Sequence, residues 1–179
     1  MNSVMRVSAL AAFSVLLLAG CQSAKDKAMC PGVAVLANTS TFTSFKPGMD
    51  GDPAGELFTV QMTSAEANCS FDLDEGTTDS DVDITFRATR PPSGEMENFT
   101  APYYVASVLD GKTILTKSIK AVAFSFAPGE STVTFTQNVP SFPNRMQNGV
   151  KPYQYSLVVG LQLTREQLNY LKNIGHLAP

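Results

Sequence analysis

The sequence predicts an all-β fold, an antiparallel β-sandwich of immunoglobulin-like character with a short C-terminal helix. Apolar side chains recur at every second position in several segments after residue 30, glycine and proline separate these segments, and a helix signal follows near the C-terminal end. Alternation with a period of two is typical of strands that bury one face. Several such strands separated by turns favour a two-sheet sandwich.

The clearest strand lies at residues 82–89, where apolar and polar side chains alternate without interruption. Its apolar members are Val82, Ile84, Phe86 and Ala88. Successive side chains of a strand point to opposite faces, so these four are expected to share a buried face. Similar alternation is found at residues 58–62, 132–136 and 153–163.

Asp110 and Gly111 give the strongest turn signal. This pair tolerates the positive φ angles of a type I′ turn, so it predicts a hairpin with a two-residue loop. Such a loop would place Leu109 opposite Lys112 and so fix the register of the two strands.

The strand after this turn changes the parity of its apolar positions. Leu115 and Ile119 lie at odd positions, whereas Val122 and Phe124 lie at even ones. If all four face the core, the strand needs a bulge or a break near residues 120–121.

The C-terminal helix is predicted from a capping box. Thr164 and Gln167 have the Thr-x-x-Gln spacing, and Leu168 and Leu171 follow at positions that share one helix face. This helix is expected to pack its leucines against one end of the sandwich.

The first twenty residues read as an export signal. Arg6 precedes an apolar run at residues 7–18, which covers about 18 Å as a helix, well short of the roughly 30 Å hydrocarbon core of a bilayer. A positive start and a short apolar run are typical of a secretory signal peptide.

The tetrad that ends this signal, Leu18-Ala19-Gly20-Cys21, resembles the lipobox of bacterial lipoproteins. The resemblance implies cleavage before Cys21 and attachment of a diacylglyceryl group to its sulfur. It divides the chain into a signal peptide (1–20), a lipidated tether (21–29) and a single domain (30–179). Two or three acyl chains would hold that domain on a membrane permanently. An ordinary secretory signal cut elsewhere is the alternative.

Location follows from the same resemblance. Gln22 stands where enterobacterial lipoproteins retained in the inner membrane carry aspartate. The domain is therefore expected to face the periplasm from the outer membrane.

The two remaining cysteines are expected to form a disulfide. Cys30 and Cys69 would both be exported to an oxidising compartment, where paired cysteines are usually bonded. A zinc site is the competing interpretation, and it would need ligands that the single histidine, His176, hardly supplies.

Several segments carry a second resemblance, and they cover most of the chain after the signal. They are Cys30-Pro31, residues 43–48, Cys69, residues 82–88, residues 102–106, Gly111, residues 114–117, residues 155–164 and residues 166–168. In this order they resemble a group of uncharacterised alphaproteobacterial lipoproteins. The resemblance implies a single lipid-anchored β domain and supplies no catalytic residue.

Candidate metal ligands lie in one acidic stretch, whose members are Asp72, Asp74, Glu75, Asp79, Asp81 and Asp83. Carboxylates are the ligands that calcium prefers. The run from Asp79 lacks the glycine and the final glutamate of an EF-hand loop, so a solvated loop and strand face is the favoured interpretation.

Candidate catalytic groups are few. His176 lies near the C-terminus, and nucleophilic catalysis needs a base within hydrogen-bond reach. Paired carboxylates could still support glycosidase-type chemistry. Tyr103 and Tyr104 lie on opposite faces of one strand, so either both pack or one is available to a ligand.

Three functions remain open on the sequence. A membrane-anchored interaction or scaffold protein of the envelope is favoured, a carrier of a small apolar or sugar ligand is the alternative, and a hydrolase with paired carboxylates is third. A formal net charge of −3 gives no basic surface for nucleic acid. No cofactor and no metal are expected. A deep apolar pocket would favour the carrier, and buried carboxylates in a cleft would favour the hydrolase.

Overall fold

A computed structural model describes residues 30–72, 75–150 and 152–175 of the chain. The signal peptide, the tether with Cys21, and the candidate residues Asp74 and His176 lie outside the described residues.

Within those ranges the chain forms strands, one α-helix and three short 3-10 turns. The strands are β1 (Gly32–Val35), β2 (Thr41–Phe45), β3 (Glu56–Asp72), β4 (Thr77–Thr89), β5 (Glu97–Leu109), β6 (Thr113–Phe126), β7 (Thr132–Arg145) and β8 (Tyr155–Leu161), and the helix is α1 (Arg165–Asn173). The 3-10 turns span Ala37–Thr39, Pro53–Gly55 and Pro152–Gln154.

The strands form two four-stranded sheets. Sheet I has the order β1-β8-β5-β6, and sheet II has the order β2-β3-β4-β7. All described pairs are antiparallel except β1 with β8, which run parallel. The predicted sandwich is therefore confirmed. The strand order differs from that of an immunoglobulin domain. In that domain the third strand lies in the sheet opposite the first two, whereas here β2, β3 and β4 are consecutive neighbours in one sheet.

The core lies between the sheets and follows the predicted alternation. Val82, Ile84, Phe86 and Ala88 are all fully buried, and their polar neighbours face outward. Burying a large apolar side chain contributes about 1.5–3 kcal/mol, so a face of this kind fixes the register of its strand. Aromatic rings extend the core toward β5 and β6; they are Phe58, Phe99, Phe124, Phe126 and Phe135.

The β5–β6 turn has the predicted backbone but not the predicted register. Asp110 and Gly111 have φ angles of 51° and 65°, as a type I′ turn requires. Leu109 nevertheless pairs with Thr113 rather than Lys112, because the loop contains a third residue. The predicted pairing is therefore wrong by one position at the turn.

The predicted bulge near residues 120–121 is absent, since β6 keeps one register with β5 there. The register shifts instead beside Leu115, where Ser107 pairs with Thr116 and Val108 with Ile114. The apolar positions change from odd to even without a bulge because Ile119 does not face the core. It faces outward and is 60% exposed.

The predicted disulfide between Cys30 and Cys69 is confirmed. Their Cα atoms lie 5.7 Å apart, within the usual range for a bonded pair. Cys30 lies two residues before β1 of sheet I, and Cys69 lies in β3 of sheet II. The bond therefore connects the first described residue to the opposite sheet.

Helix α1 begins at the predicted capping box. The Thr164 side chain accepts from the Gln167 backbone N–H, and the Gln167 side chain accepts from the Thr164 backbone N–H. Leu171 is buried, and Tyr170 packs edge-on against Phe45 at the end of β2. Among the described helices none has the length and apolar character needed to cross a bilayer.

Candidate functional site

The acidic stretch serves local structure. On the outer face of sheet II, Asp81 accepts a hydrogen bond from the backbone N–H of Ser141, a residue with a positive φ of 53° at the register shift of β7. Asp83 accepts from the Asn138 amide at 2.8 Å. No group of three or more possible metal ligands converges within the described part of the chain.

Carboxylates are absent from the interior of the described ranges, since the buried polar and charged residues there are Thr43, Thr78, Ser80, Arg90, Ser107 and Asn144. Buried carboxyl groups in a cleft are the arrangement that would support a glycosidase-type site. That arrangement is not found among these residues.

Tyr103 and Tyr104 both pack, on opposite faces of sheet I. Tyr103 lies in the core, where burial raises the pKa of its phenol and keeps it neutral across the physiological range. Tyr104 lies on the outer face against Gly160, and a Cβ atom at Gly160 would come within 2.6 Å of the Tyr104 hydroxyl. Thr39 hydrogen-bonds that hydroxyl, and the Lys117 ammonium lies 4.3 Å from the ring centre. The ring of Tyr104 is thus part of a packed outer surface.

That outer surface of sheet I is unusually apolar. Two cross-strand rows define it: Ala34, Val158, Ala106 and Lys117 in one, and Gly160, Tyr104 and Ile119 in the other. Lys117 is the one charged side chain in these two rows. Sheet II differs, because its outer face carries the aspartates of β4, and antiparallel sheets usually place polar side chains on the face away from the core.

One edge of sheet I is formed by β6, which pairs with β5 and with no other described strand. It spans 14 residues, whereas the edge strands β1 and β2 span 4 and 5. The fourth edge strand, β7, carries Pro140 and Pro143, which cannot donate to a neighbouring strand. Strand β6 is therefore a long edge on which every residue keeps its backbone N–H, whereas β7 offers a proline-free edge only over residues 132–139.

Exposed apolar and cationic side chains share this edge. Ile114 and Ile119 are 62% and 60% exposed, and Lys117 and Lys120 are also exposed. Large apolar side chains grouped on one strand edge mark contact surfaces more often than isolated ones do. We refer to Ile114, Ile119, Lys117 and Lys120 on β6 as the β6 edge.

A cleft opens beside this edge, with a volume of about 670 Å³. It is lined by Glu75, Leu115, Thr116, Asn144, Arg145, Met146, Gln147 and Asn148. Most of these side chains are polar, so the cleft is not the deep apolar pocket that would mark a carrier of apolar ligands.

One residue that lines this cleft, Asn144, has buried polar partners. Asn144 is 2% exposed, and its Oδ1 accepts a hydrogen bond from the Ser107 hydroxyl at 2.7 Å. The buried hydroxyl of Thr78 donates to the Asn144 carbonyl. Nearby, the backbone N–H of Gln147 donates to the Tyr155 hydroxyl at 2.6 Å and positions the cleft loop.

Arg90 and Asn144 are the notable residues that sequence reasoning missed. Arg90 follows β4, is 5% exposed, and donates to the carbonyls of Glu95, Ala127 and Glu130. Neither residue belongs to a motif. Arg90 stands next to the Pro91-Pro92 turn, which signals a loop but not a buried cation.

Comparison with known proteins adds no relative: no family model, curated protein or solved structure matches this chain.

Proposed function

We propose that this chain is a lipid-anchored lipoprotein of the bacterial envelope, facing the periplasm from the outer membrane, and that it holds a partner protein at the membrane surface. The observation that carries the proposal is the β6 edge, a long unpaired strand edge with two exposed isoleucines. The lipobox at residues 18–21 supports the anchor.

The β6 edge suits an extended segment of a partner. A strand added to a free edge gains backbone hydrogen bonds along its length, and its alternate side chains contact exposed side chains of the edge. Ile114 and Ile119 offer apolar contacts, while Lys117 and Lys120 favour acidic side chains in the partner. Lysines on an edge also discourage pairing with a second copy of the same edge.

The tether would allow a membrane-bound partner to occupy the domain even through weak contacts. Residues 21–29 would connect the lipid to the sandwich, and a short flexible linker raises the effective concentration of a membrane-bound partner toward the millimolar range. A domain held in this way can be occupied even when its affinity in solution is low.

The first test concerns the anchor. We expect Cys21→Ser to abolish lipidation, because the resemblance assigns the diacylglyceryl group to that sulfur. Cells fed radiolabelled palmitate should label the wild-type protein and leave the variant unlabelled. Cys69→Ser is the matched control and should retain the label. Equal incorporation by the Cys21→Ser variant would show that the lipobox assignment is wrong.

The second test concerns the β6 edge. We expect a photo-crosslinking amino acid at Ile119 to form a discrete adduct in intact cells, because the position is exposed on the proposed contact surface. The same amino acid at Thr134, an exposed position of sheet II, is the control and should form none.

Replacing residues 1–21 by an ordinary cleavable signal tests the tethering idea with the same crosslink. The unanchored protein should give a weaker Ile119 adduct at equal abundance, since it loses the concentration effect. An adduct of undiminished yield would contradict tethering, and equal adducts at Ile119 and Thr134 would contradict the assigned surface.

A further inference from the structure

The hydrogen-bond alternation of sheet I fixes which backbone groups of β6 are free. Gln162 of β8 donates its backbone N–H to its register partner, Pro102 of β5. Backbone groups of successive residues point to opposite sides of a strand, so the odd-numbered residues of β5 from 97 to 107 bond to even-numbered residues of β6. The odd-numbered residues of β6 therefore direct their N–H and C=O groups away from β5. These residues are Lys117, Ile119, Ala121, Ala123 and Ser125, and their side chains are exposed on the outer face of sheet I.

Strand β7 ends on the same side of the sandwich but offers different chemistry. Cα atoms of β6 and β7 lie within 8 Å of each other. Arg90 donates its backbone N–H to Ser131, and the register of β4 with β7 continues this pairing, so the even-numbered residues of β7 have the free backbone groups. Those at 132, 134 and 136 are threonines. The free positions with exposed apolar side chains are thus those of β6.

A strand added beside β6 would also contact the rim of the core. Phe124 stacks on Phe135 of β7 with ring centres 5.3 Å apart, and Phe135 and Val133 are only partly buried. Lys120 pairs with the core residue Tyr103, so its exposed side chain lies on the same core-facing side. Because side chains alternate along a strand, every second side chain of the added strand would meet these rings and this ammonium group.

We infer that the partner contributes an extended segment that pairs antiparallel with residues 117–125 and extends sheet I. Its core-facing side chains are apolar beside Phe124 and acidic beside Lys120. Its outward side chains are apolar beside Ile119 and acidic beside Lys117. This inference rests on the proposed function and defines the chemistry of the partner that the β6 edge accepts.

The first probe is the fluorescently labelled peptide Thr-Val-Thr-Val-Thr-Glu-Ile-Thr-Glu. In the antiparallel register its valines lie beside Phe124 and Val122, and its two glutamates lie beside Lys120 and Lys117. We expect it to bind full-length protein in a non-ionic detergent, measured by fluorescence anisotropy at low ionic strength. Replacing both glutamates by lysine should raise the Kd about fivefold or more, because like charges then face each other. A parent peptide that does not bind would overturn the inference.

Methylation of the peptide backbone separates strand addition from side-chain contact and leaves the protein unchanged. N-methyl groups on the two peptide residues opposite Ile119 and Ala121 remove donors that point at β6, so the Kd should rise about tenfold or more. N-methyl groups on the residues opposite Lys120 and Val122 replace N–H groups that point to solvent. That peptide is the matched control and should keep its Kd. Equal effects of the two methylated peptides would overturn the inference.

Ala121→Pro applies the same test in cells. The Ala121 N–H points away from β5, so proline removes a free donor without removing a bond between β5 and β6. Combined with the crosslinking amino acid at Ile119, this variant should lose most of the adduct. Thr134→Pro, at a free position of β7, is the matched control and should keep it.

The outcomes in cells distinguish this inference from the proposed function. An undiminished Ile119 adduct in the Ala121→Pro variant would overturn strand addition and leave the proposed function standing, since the partner would then bind through side chains. No Ile119 adduct in the parent protein would count against the proposed function, even if the peptide binds. Purified protein that is dimeric, but monomeric as Ala121→Pro, would assign the edge to a second copy of this chain and overturn the inference.

Discussion

Replacing Arg90 by alanine is expected to lower the free energy of unfolding by about 3–5 kcal/mol. The guanidinium donates to the carbonyls of Glu95, Ala127 and Glu130 at 2.9, 3.0 and 2.9 Å. It also pairs with Glu97 and lies 4.9 Å from the ring centre of Phe126.

The cost arises mainly from the three carbonyls. In the alanine variant they lose a charged donor, and the volume of the side chain beside Phe126 is left empty. The pair with Glu97 contributes less, because the Glu97 side chain is 42% exposed and its carboxylate can be hydrated. Arg90 therefore ties the loop before β5 to the loop after β6, and its removal should loosen both.

Urea unfolding measures this effect, and two further variants separate its parts. Arg90→Lys keeps the charge but not the planar array of donors, so it should lose most of the same stability. Glu97→Gln removes only the partner charge and should cost less than about 1 kcal/mol. An unfolding midpoint of Arg90→Ala that coincides with the wild-type midpoint would contradict the stabilising role assigned to Arg90.

The Cys30–Cys69 disulfide is expected to contribute about 4 kcal/mol in the chain-entropy model, given a sequence separation of 39. The double variant Cys30→Ser/Cys69→Ser should therefore unfold at a lower urea concentration.

Strand β1, which follows Cys30, has only 4 residues and pairs with β8 alone among the described strands. We expect its amide protons to exchange faster in the variant than those of β4.

Reduction supplies the control for this prediction. Wild-type protein treated with a thiol reductant should lose the same stability as the double variant, whereas the reductant should leave the variant unchanged. If the double variant has the same free energy of unfolding as the oxidised wild type, the disulfide does not stabilise the fold.

The elements that the sequence predicts well are those whose cause is local. The strand at residues 82–89 alternates because one face is buried, and the capping box of Thr164 and Gln167 needs only neighbouring residues. The φ angles of Asp110 and Gly111 are equally local.

The register of β6 is not local, which explains the two wrong predictions. The inferred bulge rested on the assumption that Ile119 faces the core, but apolar atoms form more than half of a typical protein surface. Ile119 is exposed, and the register shift falls beside Leu115, near the cleft. The sequence pattern alone does not distinguish an isoleucine that faces outward from one that faces the core.

Arg90 and Asn144 fail to stand out for a related reason. Their partners are distant in sequence: Arg90 contacts Glu130 across 40 residues, and Asn144 contacts Ser107 across 37. A polar residue near the end of a strand is ordinarily exposed, so pattern analysis places both at the surface. Only the packed sheets bring the partners together.

The position of the disulfide also decides how the protein responds to mechanical load. A pull on the chain from its N-terminal side would reach Cys30 before any strand. Without the bond, the force would act directly on β1, a strand of 4 residues that pairs with β8 alone among the described strands. With it, the force passes through a covalent link into β3, a strand of 17 residues that is paired with β4 over most of its length. Under the proposed lipid anchor, a load on the tether would therefore reach the sandwich without first opening β1.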